Sequence, residues 1–280
     1  MITYRATLDV PGELVTFTAG LLAAERRRRG TPRGSRKLTC YRQAVLGLRW
    51  FRDRTAIGAL ARDNGISRAT AYRYVDEVTE VLADLAPDLP AALDRAMAEG
   101  AAHVVLDGTI IASDRCSEKA ENAKGKPVDL WYSGKSRCHG GNVQAVALPG
   151  GFPIWVSDAE PGSAHDLAAA RVHAFPALYR AASLGMPALA DAGYTGAGAG
   201  IKIPVKEPWG TGQDTCLDID NRAYNKLLRS VRCLGERAFA LLTQRWRTLQ
   251  HITASPGKIT QITRAALVLL HYEHGYLKPA

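Results

Sequence analysis

Up to about residue 95, apolar and basic positions alternate at a spacing of three and four, which predicts helices. The pattern breaks after Leu85, where Pro87 and Pro90 fall, and a short amphipathic segment follows from Ala91 to Ala98. From His103 onward the apolar positions gather into short runs punctuated by glycine and proline, as strands do. The first predicted strand is Val104–Ile111 and the second Asn142–Leu148. A turn at Pro149-Gly150-Gly151 leads to the third, Phe152–Val156, so these three predict an antiparallel meander. A short helix is expected over Asp166–Val172, strands over Met186–Ala190 and Gly200–Val205, a long helix over Asn221–Leu249 and a last apolar helix over Ile259–His274. Meander, helix, strand, strand and helices in that order suit an α/β layer fold.

Composition narrows the picture. The 280 residues are 46% hydrophobic and 22% charged, ordinary values for a folded chain able to bury its own core. No apolar run is long enough to cross a bilayer. The stretch Met1–Leu14 lacks the basic-then-apolar order of a signal peptide, so a cytoplasmic location is expected. Five scattered cysteines without a C-x-x-C pair predict neither a disulfide framework nor a structural zinc site. The net charge of +9 favours polyanionic partners, because each phosphate contact releases counterions, although an arginine-rich proteome also yields basic proteins.

The segment Thr55–Val75 has the pattern of a helix-turn-helix. Ile57, Leu60 and Ala61 share one helix face. Gly65 can take the left-handed conformation that ends that helix, and Ser67 suits the N-cap of the next. Ile66, Ala71 and Val75 would pack back, leaving Arg68, Thr70 and Arg73 to project where a recognition helix meets bases and phosphates. A helical hairpin used only for packing has the same pattern. Upstream lies Arg26-Arg27-Arg28-Arg29, with Arg33, Arg36 and Lys37 beyond. It reads either as a solvated helix end or as an arm along a phosphate backbone or minor groove.

Three acids stand out. Asp107 interrupts Val104-Val105-Leu106 and Ile110-Ile111, a run apolar enough for a central strand. A carboxylate there is costly unless it is paired or metal-bound. Asp191 follows Met186–Ala190 at the end of a strand, where α/β sheets gather ligands, although a turn aspartate before glycine looks the same. Glu236 lies roughly 60° beyond the apolar stripe of its helix at ~100° per residue, a position that suits a cleft or an open surface alike.

Asp107-Gly108-Thr109, Pro161-Gly162-Ser163-Ala164-His165-Asp166, Ala190-Asp191-Ala192-Gly193-Tyr194-Thr195-Gly196 and the Arg232–Phe239 segment with Glu236 occur in this order. Together they resemble the DDE superfamily endonuclease domain of bacterial insertion-sequence transposases, related to the eukaryotic Harbinger group. Trp131–Gly140, with Lys135 and Arg137, is similar to that family's segment after the first strand, and the preceding helix-turn-helix matches its layout. The resemblance implies an RNase H-like mixed sheet flanked by helices, preceded by a small all-α helix-turn-helix domain. The expected division is a basic segment 1–37, a DNA-binding domain 38–98 and a catalytic domain 99–280. It implies Asp107, Asp191 and Glu236 as the catalytic acids, Asp107 bridging two divalent ions, Mg²⁺ or Mn²⁺. Asp166 competes with Asp191 as second acid, and His165 is a candidate neighbour. Lys135, Arg137 and Arg237 are candidates for steering phosphates. Double-stranded DNA is the implied partner, as transposon terminal inverted repeats and target, bound by a homo-oligomer in the nucleoid. An inactive DNA-binding regulator and a nuclease without strand transfer share these features. Two departures stand: arginines at Arg245 and Arg247 where the family often has lysine, and Gly235 before the glutamate, costing up to about 1 kcal/mol of helix stability relative to alanine.

Overall fold

The computed structural model describes residues 8–121, 125–207 and 217–277. The first seven residues, on which part of the signal-peptide expectation rests, lie outside the described residues. So do Cys216 and the side chains of Val231, counted above in the apolar stripe of the long helix, and Arg232.

The chain opens with five helices: α1 (Gly12–Arg28), α2 (Cys40–Asp53), α3 (Ile57–Asp63), α4 (Arg68–Ala83) and α5 (Leu89–Ala98). Local chemistry fixes their starts. The Thr39 hydroxyl accepts from Arg42 N, that of Ser67 from Thr70 N, and the Asp88 carboxylate from Ala91 N, each satisfying an amide that has no partner within its helix. Strands follow: β1 (Val104–Ala112), β2 (Lys119–Glu121), β3 (Pro127–Asp129), β4 (Tyr132–Ser133), β5 (Cys138–Ala147), β6 (Pro153–Val156) and β7 (Glu160–Pro161). After helices α6 (Asp166–His173) and α7 (Phe175–Ser183) come β8 (Ala188–Leu189) and β9 (Ile201–Lys202), then α8 (Ile219–Arg245) and α9 (Ile259–Glu273).

Two compact units result. The first is Met1–Ala86 with Leu242–His251 and Gln261–Ala280; the second is Pro87–Leu241 with Ile252–Thr260. In the helical unit, Leu14, Leu22, Leu46, Phe51, Leu60, Val78 and Leu82 are fully or almost fully buried. Tail residues complete that core. Trp246 stands edge-on to Phe51 with ring centroids 6.4 Å apart, and Tyr272 stacks on Phe17 at 4.2 Å.

The second unit is built on a mixed sheet in the order β4-β5-β1-β8-β9, with β6 and β7 also pairing with β5. β1 runs antiparallel to β5 (Asp107 opposite Ala145) and parallel to β8 (Val105 opposite Leu189). The expected meander β1-β5-β6 is present. Val104, Val105, Leu106, Val143, Val146, Ile154 and Val156 are buried on this sheet. Helices flank it, giving the expected α/β architecture, an RNase H-like mixed sheet between helices. Four expectations need adjusting. The second strand starts four residues earlier than read, at Cys138; Met186–Ala190 forms pairs only at Ala188–Leu189; Gly200–Val205 pairs only at Ile201–Lys202; and a helix over Phe175–Ser183 had no place in the reading. Among the described residues no helix is long and apolar enough to cross a membrane.

Candidate active site

β1 is central in the sheet, with β5 on one side and β8 on the other, so its middle is screened from solvent. Asp107 sits there half-buried, its Oδ1 accepting from Gly108 N at 2.9 Å. Burial pushes its carboxyl up to about 6, and the negative charges of Asp191, Asp166 and Glu236 push the same way, against the lowering effect of the Gly108 amide. These four acids are thus within electrostatic reach of one point, although they come from β1, the end of β8, the start of α6 and the body of α8.

Asp191 lies two residues past β8 and caps a short 3₁₀ turn, Ala192–Tyr194, with Oδ1 accepting from Gly193 N at 2.8 Å. Because β8 runs parallel to β1 with Val105 opposite Leu189, the two aspartates, each two residues further on, come to the same level of the sheet. Asp107 and Asp191 line one recess of about 20 Å³, with Leu228 and Gly235 of α8 on its far side. That volume holds about one water-sized occupant. Glu236, next to Gly235, is exposed.

Gly235 is no mere weakness in α8. A Cβ placed there would lie 2.9 Å from Asp107 Cβ and 3.1 Å from its Oδ2. The helix comes that close to β1 only because the side chain is missing. Gly108 does the same beneath the strand. A Cβ there would meet Gln144 Nε2 at 2.4 Å, Asp166 Oδ1 at 2.9 Å and Tyr194 Oη at 3.0 Å.

Those three groups belong to a buried chain that sequence reasoning missed. Tyr194 Oη donates to Gln144 Oε1 at 2.6 Å, Gln144 Nε2 to Asn142 Oδ1 at 2.8 Å, and Asn142 Nδ2 to Asp166 Oδ1 at 2.8 Å. Asn142 and Gln144 are buried on β5, opposite Ile110 and Gly108. Burial first, then the charges of Asp166, Asp107 and Asp191, hold the proton firmly on Tyr194. The available signal was the pair of polar residues two apart within an apolar strand: buried amides need partners.

The remaining candidates divide. His165 is the exposed N-cap of α6, with no side-chain capping bond. Lys135 reaches Asp166 Oδ2 at 3.4 Å from an exposed position. Arg137 is exposed at φ +55° in the turn before β5, and Arg237 is exposed on α8 with its stem over Gly151. In the helical unit, Arg68 and Arg73 are exposed on α4. Arg68 lies over the Tyr72 ring at 5.8 Å, and Arg73 donates to Thr70 Oγ1 at 3.2 Å. Gly65 at φ +59° separates α3 from α4.

Arg26, Arg27 and Arg28 form the last turn of α1. Arg26 turns inward, donating to Leu38 O at 3.1 Å and Gln43 Oε1 at 2.6 Å, while Arg28 is bidentate on Glu25 at 2.6 Å. Arg27 is exposed. Arg245, which stands where the family often has lysine, is committed to Glu273 and Asp9.

The donors offered around Asp107 are carboxylate oxygens, the ligands of hard divalent cations. Burial is the main cause that raises the Asp107 carboxyl and the neighbouring acids add to it; a cation in the recess would favour the ionised form against both, so donor chemistry and electrostatics both fit one. Among the described residues no three His, Cys, Asp or Glu side chains are grouped closely enough to enclose an ion by themselves. No curated protein and no solved structure matches the chain. The family model described as DDE superfamily endonuclease matches residues 106–271, more than half of the 280. With Asp107, Asp191 and Glu236 all inside that match, the chain belongs to the DDE superfamily endonucleases, nucleases that act on DNA and generally use divalent metals.

Proposed function

We propose that this endonuclease is a DNA transposase in which Asp107, Asp191 and Glu236 hold the metal. The observation that carries this reading is the Asp107 carboxyl, raised to about 6 in a site where the charges of Asp191, Asp166 and Glu236 converge. Nothing in a purely structural strand calls for such an arrangement, and a divalent cation relieves it. When bound, two ions of Mg²⁺ or Mn²⁺ would supply Lewis-acid neutralisation of the scissile phosphate and lower the pKa of water.

The side chains' part is positional. Asp107, fixed on the central strand, places the site. Asp191, held by its own capping bond, faces the same recess, and Glu236 supplies a carboxylate from α8. Water adds to phosphorus in line, the P–O3′ bond breaks, and the 3′-oxygen leaves as a hydroxyl after taking up a proton. In the second stage that 3′-hydroxyl attacks a target phosphodiester in the same geometry: a new O3′–P bond forms, the target's own P–O3′ bond breaks, and the proton lost by the attacking hydroxyl is made up on the leaving 3′-oxygen. Lys135, Arg137 and Arg237 would steer phosphates towards the site. The exposed Arg68 and Arg73 of α4, with Thr70, would read the terminal inverted repeats from a helix-turn-helix. A homo-oligomer acting on paired ends in the cytoplasmic nucleoid completes the proposal.

Asp107→Asn tests it. The variant should lose about a thousandfold or more of its metal-dependent cleavage of DNA carrying the terminal repeats, while affinity for that DNA changes little. Cleavage at the wild-type rate would overturn the assignment. Cutting by the wild-type protein with no joined product, in a strand-transfer assay with target DNA present, would reduce the reading to a hydrolytic nuclease.

A further inference from the structure

Beside the acids lies a second, larger cavity of about 460 Å³. Its wall includes Gly108, the neighbour of Asp107, and Gly193, the amide partner of Asp191. Whatever fills it lies next to the scissile bond. Its volume falls in the range of ~300–1,000 Å³ that takes one small ligand, and it cannot admit a duplex, whose major groove alone is ~12 Å wide. We infer that this cavity receives the sugar–phosphate of one unpaired nucleotide of the strand being cut, with Lys135 as its phosphate contact and Asp166 as the positioning residue for that lysine. The inference rests on the catalytic reading above for its substrate class, DNA.

The lining selects backbone over base. Four glycines, Gly108, Gly134, Gly162 and Gly193, leave main chain open to close approach. Ser133, Ser136 and Ser163 offer hydroxyls. Among the described residues no Phe, Tyr or Trp lines the cavity and the exposed imidazole of His165 is its one ring, so it lacks the broad platform on which successive unpaired bases stack. Hydroxyls, amides and one lysine suit a phosphodiester, and suit it regardless of sequence.

Asp166 then has a role distinct from that of a metal ligand. Its Oδ1 is fixed by Asn142, which the buried chain through Gln144 and Tyr194 holds in turn. Its Oδ2 faces Lys135 at 3.4 Å. An exposed pair of that kind is worth little, roughly 0–1 kcal/mol, so a phosphate can take the ammonium from the carboxylate easily. Asp166 keeps the lysine over the cavity until the strand arrives.

The test uses the full chain in chelator, with a ten-residue oligothymidylate and a blunt duplex as probes in fluorescence anisotropy. Ser163→Trp fills the cavity from an exposed position and should weaken oligothymidylate binding about tenfold while leaving the duplex unaffected. Lys135→Ala should weaken the same probe several-fold and lower the salt slope by about 0.7, the single-strand value for one phosphate. Asp166→Asn should weaken it to a similar degree, add nothing to Lys135→Ala, and, in a separate titration without chelator, leave Mn²⁺ binding, read by electron paramagnetic resonance, unchanged. Unaltered oligothymidylate binding by Lys135→Ala overturns the cavity assignment even if Ser163→Trp fails to fold. An equal loss of duplex binding overturns its restriction to an unpaired strand. Loss of Mn²⁺ affinity in Asp166→Asn would make Asp166 a ligand and overturn its positioning role. Asp107→Asn separates the two readings: if it still cuts DNA, the catalytic assignment fails while the strand-binding result stands.

Discussion

Two carboxylates in different parts of this chain have been pushed in opposite directions. Glu25, on α1, is held down at about 2 by hydrogen bonds from Arg28 and Arg29. Asp107, on β1, is pushed up to about 6 by burial and by three further acids. In the helical unit charge is neutralised locally: Arg36 pairs with Glu77, Arg49 with Asp63, and Arg52 and Arg245 with Asp9. Around Asp107 the charges of Asp191, Asp166 and Glu236 instead add to one another, with Lys135 facing Asp166 from an exposed position. A run of four arginines is the louder signal in the sequence, yet much of it is folded into pairs. The quieter acids, scattered over some 130 residues from Asp107 to Glu236, are the ones whose charges act together on one buried carboxyl.

The sharpest break of that contrast is a pH experiment on Asp107. Its folded-state carboxyl titrates near 6, above the ordinary aspartate value of 3.8. The folded protein therefore holds this proton more tightly than the unfolded chain, and stability falls as pH rises from about 4 to 6. Above pH 6 the ionised group costs up to about 3 kcal/mol, at 1.36 kcal/mol per pKa unit. Asp107→Asn removes that cost, and its Oδ1 can still accept from Gly108. In chelator at pH 7.5 the variant should be more stable than wild type by up to about 3 kcal/mol in urea unfolding, with the gain vanishing below pH 4. A gain that persists at pH 3, or no gain at pH 7.5, would mean that Asp107 is not under this strain. Losing activity while gaining stability is the trade expected of a site built for function.

Gly235 sharpens the comparison at the next scale. At an ordinary exposed position in a helix, Gly→Ala should stabilise by about 0.5–1 kcal/mol. Here the new methyl would meet the Cβ of Asp107 at 2.9 Å, on a central strand that cannot easily yield. Overpacking of this kind costs about 1–3 kcal/mol and should outweigh the helix gain. Gly235→Ala should therefore unfold at lower urea concentration than wild type and cut DNA more slowly. A stabilised variant with full activity would show that α8 does not pack on Asp107.

Much of this was readable in advance, for identifiable reasons. Val104–Ile111 reads as a buried strand because its apolar run is short and dense, and the aspartate within it is conspicuous for the same reason. The meander and the two long C-terminal helices follow from periodicity over many residues. Short elements did not announce themselves: β2 and β3 are three-residue strands, largely exposed, with no alternation to detect. α7 was missed although Pro176 in its first turn is a helix-starting signal, not a break. Contacts between distant segments were out of reach altogether. Nothing local says that Trp246 and Tyr272 complete a core with Phe51 and Phe17. Gly235 looked like a flaw in a helix because the residue it accommodates lies 128 positions earlier, as 235 minus 107 shows. Arg26 looked like part of a basic arm because its partners, Leu38 and Gln43, lie beyond the next turn.

The smallest effect lies within the arginine run itself, where neighbours of identical chemistry should behave differently. Arg26 donates to Leu38 O and Gln43 Oε1, and Gln43 is fully buried and also donates to Glu77. Arg26→Ala leaves a carbonyl and an amide oxygen without their donors in a partly buried place, a loss of about 1–2 kcal/mol. Arg27 is exposed, so Arg27→Ala should stay within about 0.5 kcal/mol of wild type. DNA affinity should show the reverse order: Arg27→Ala should lower affinity and salt slope slightly, as for one phosphate contact, while Arg26→Ala leaves the slope alone. Parallel urea melts and salt titrations of the two variants would read both quantities. If Arg26→Ala lowered the slope and left stability intact, α1 would end in a DNA-binding arm, and the division between neutralised arginines and concentrated acids would fail at its nearest point.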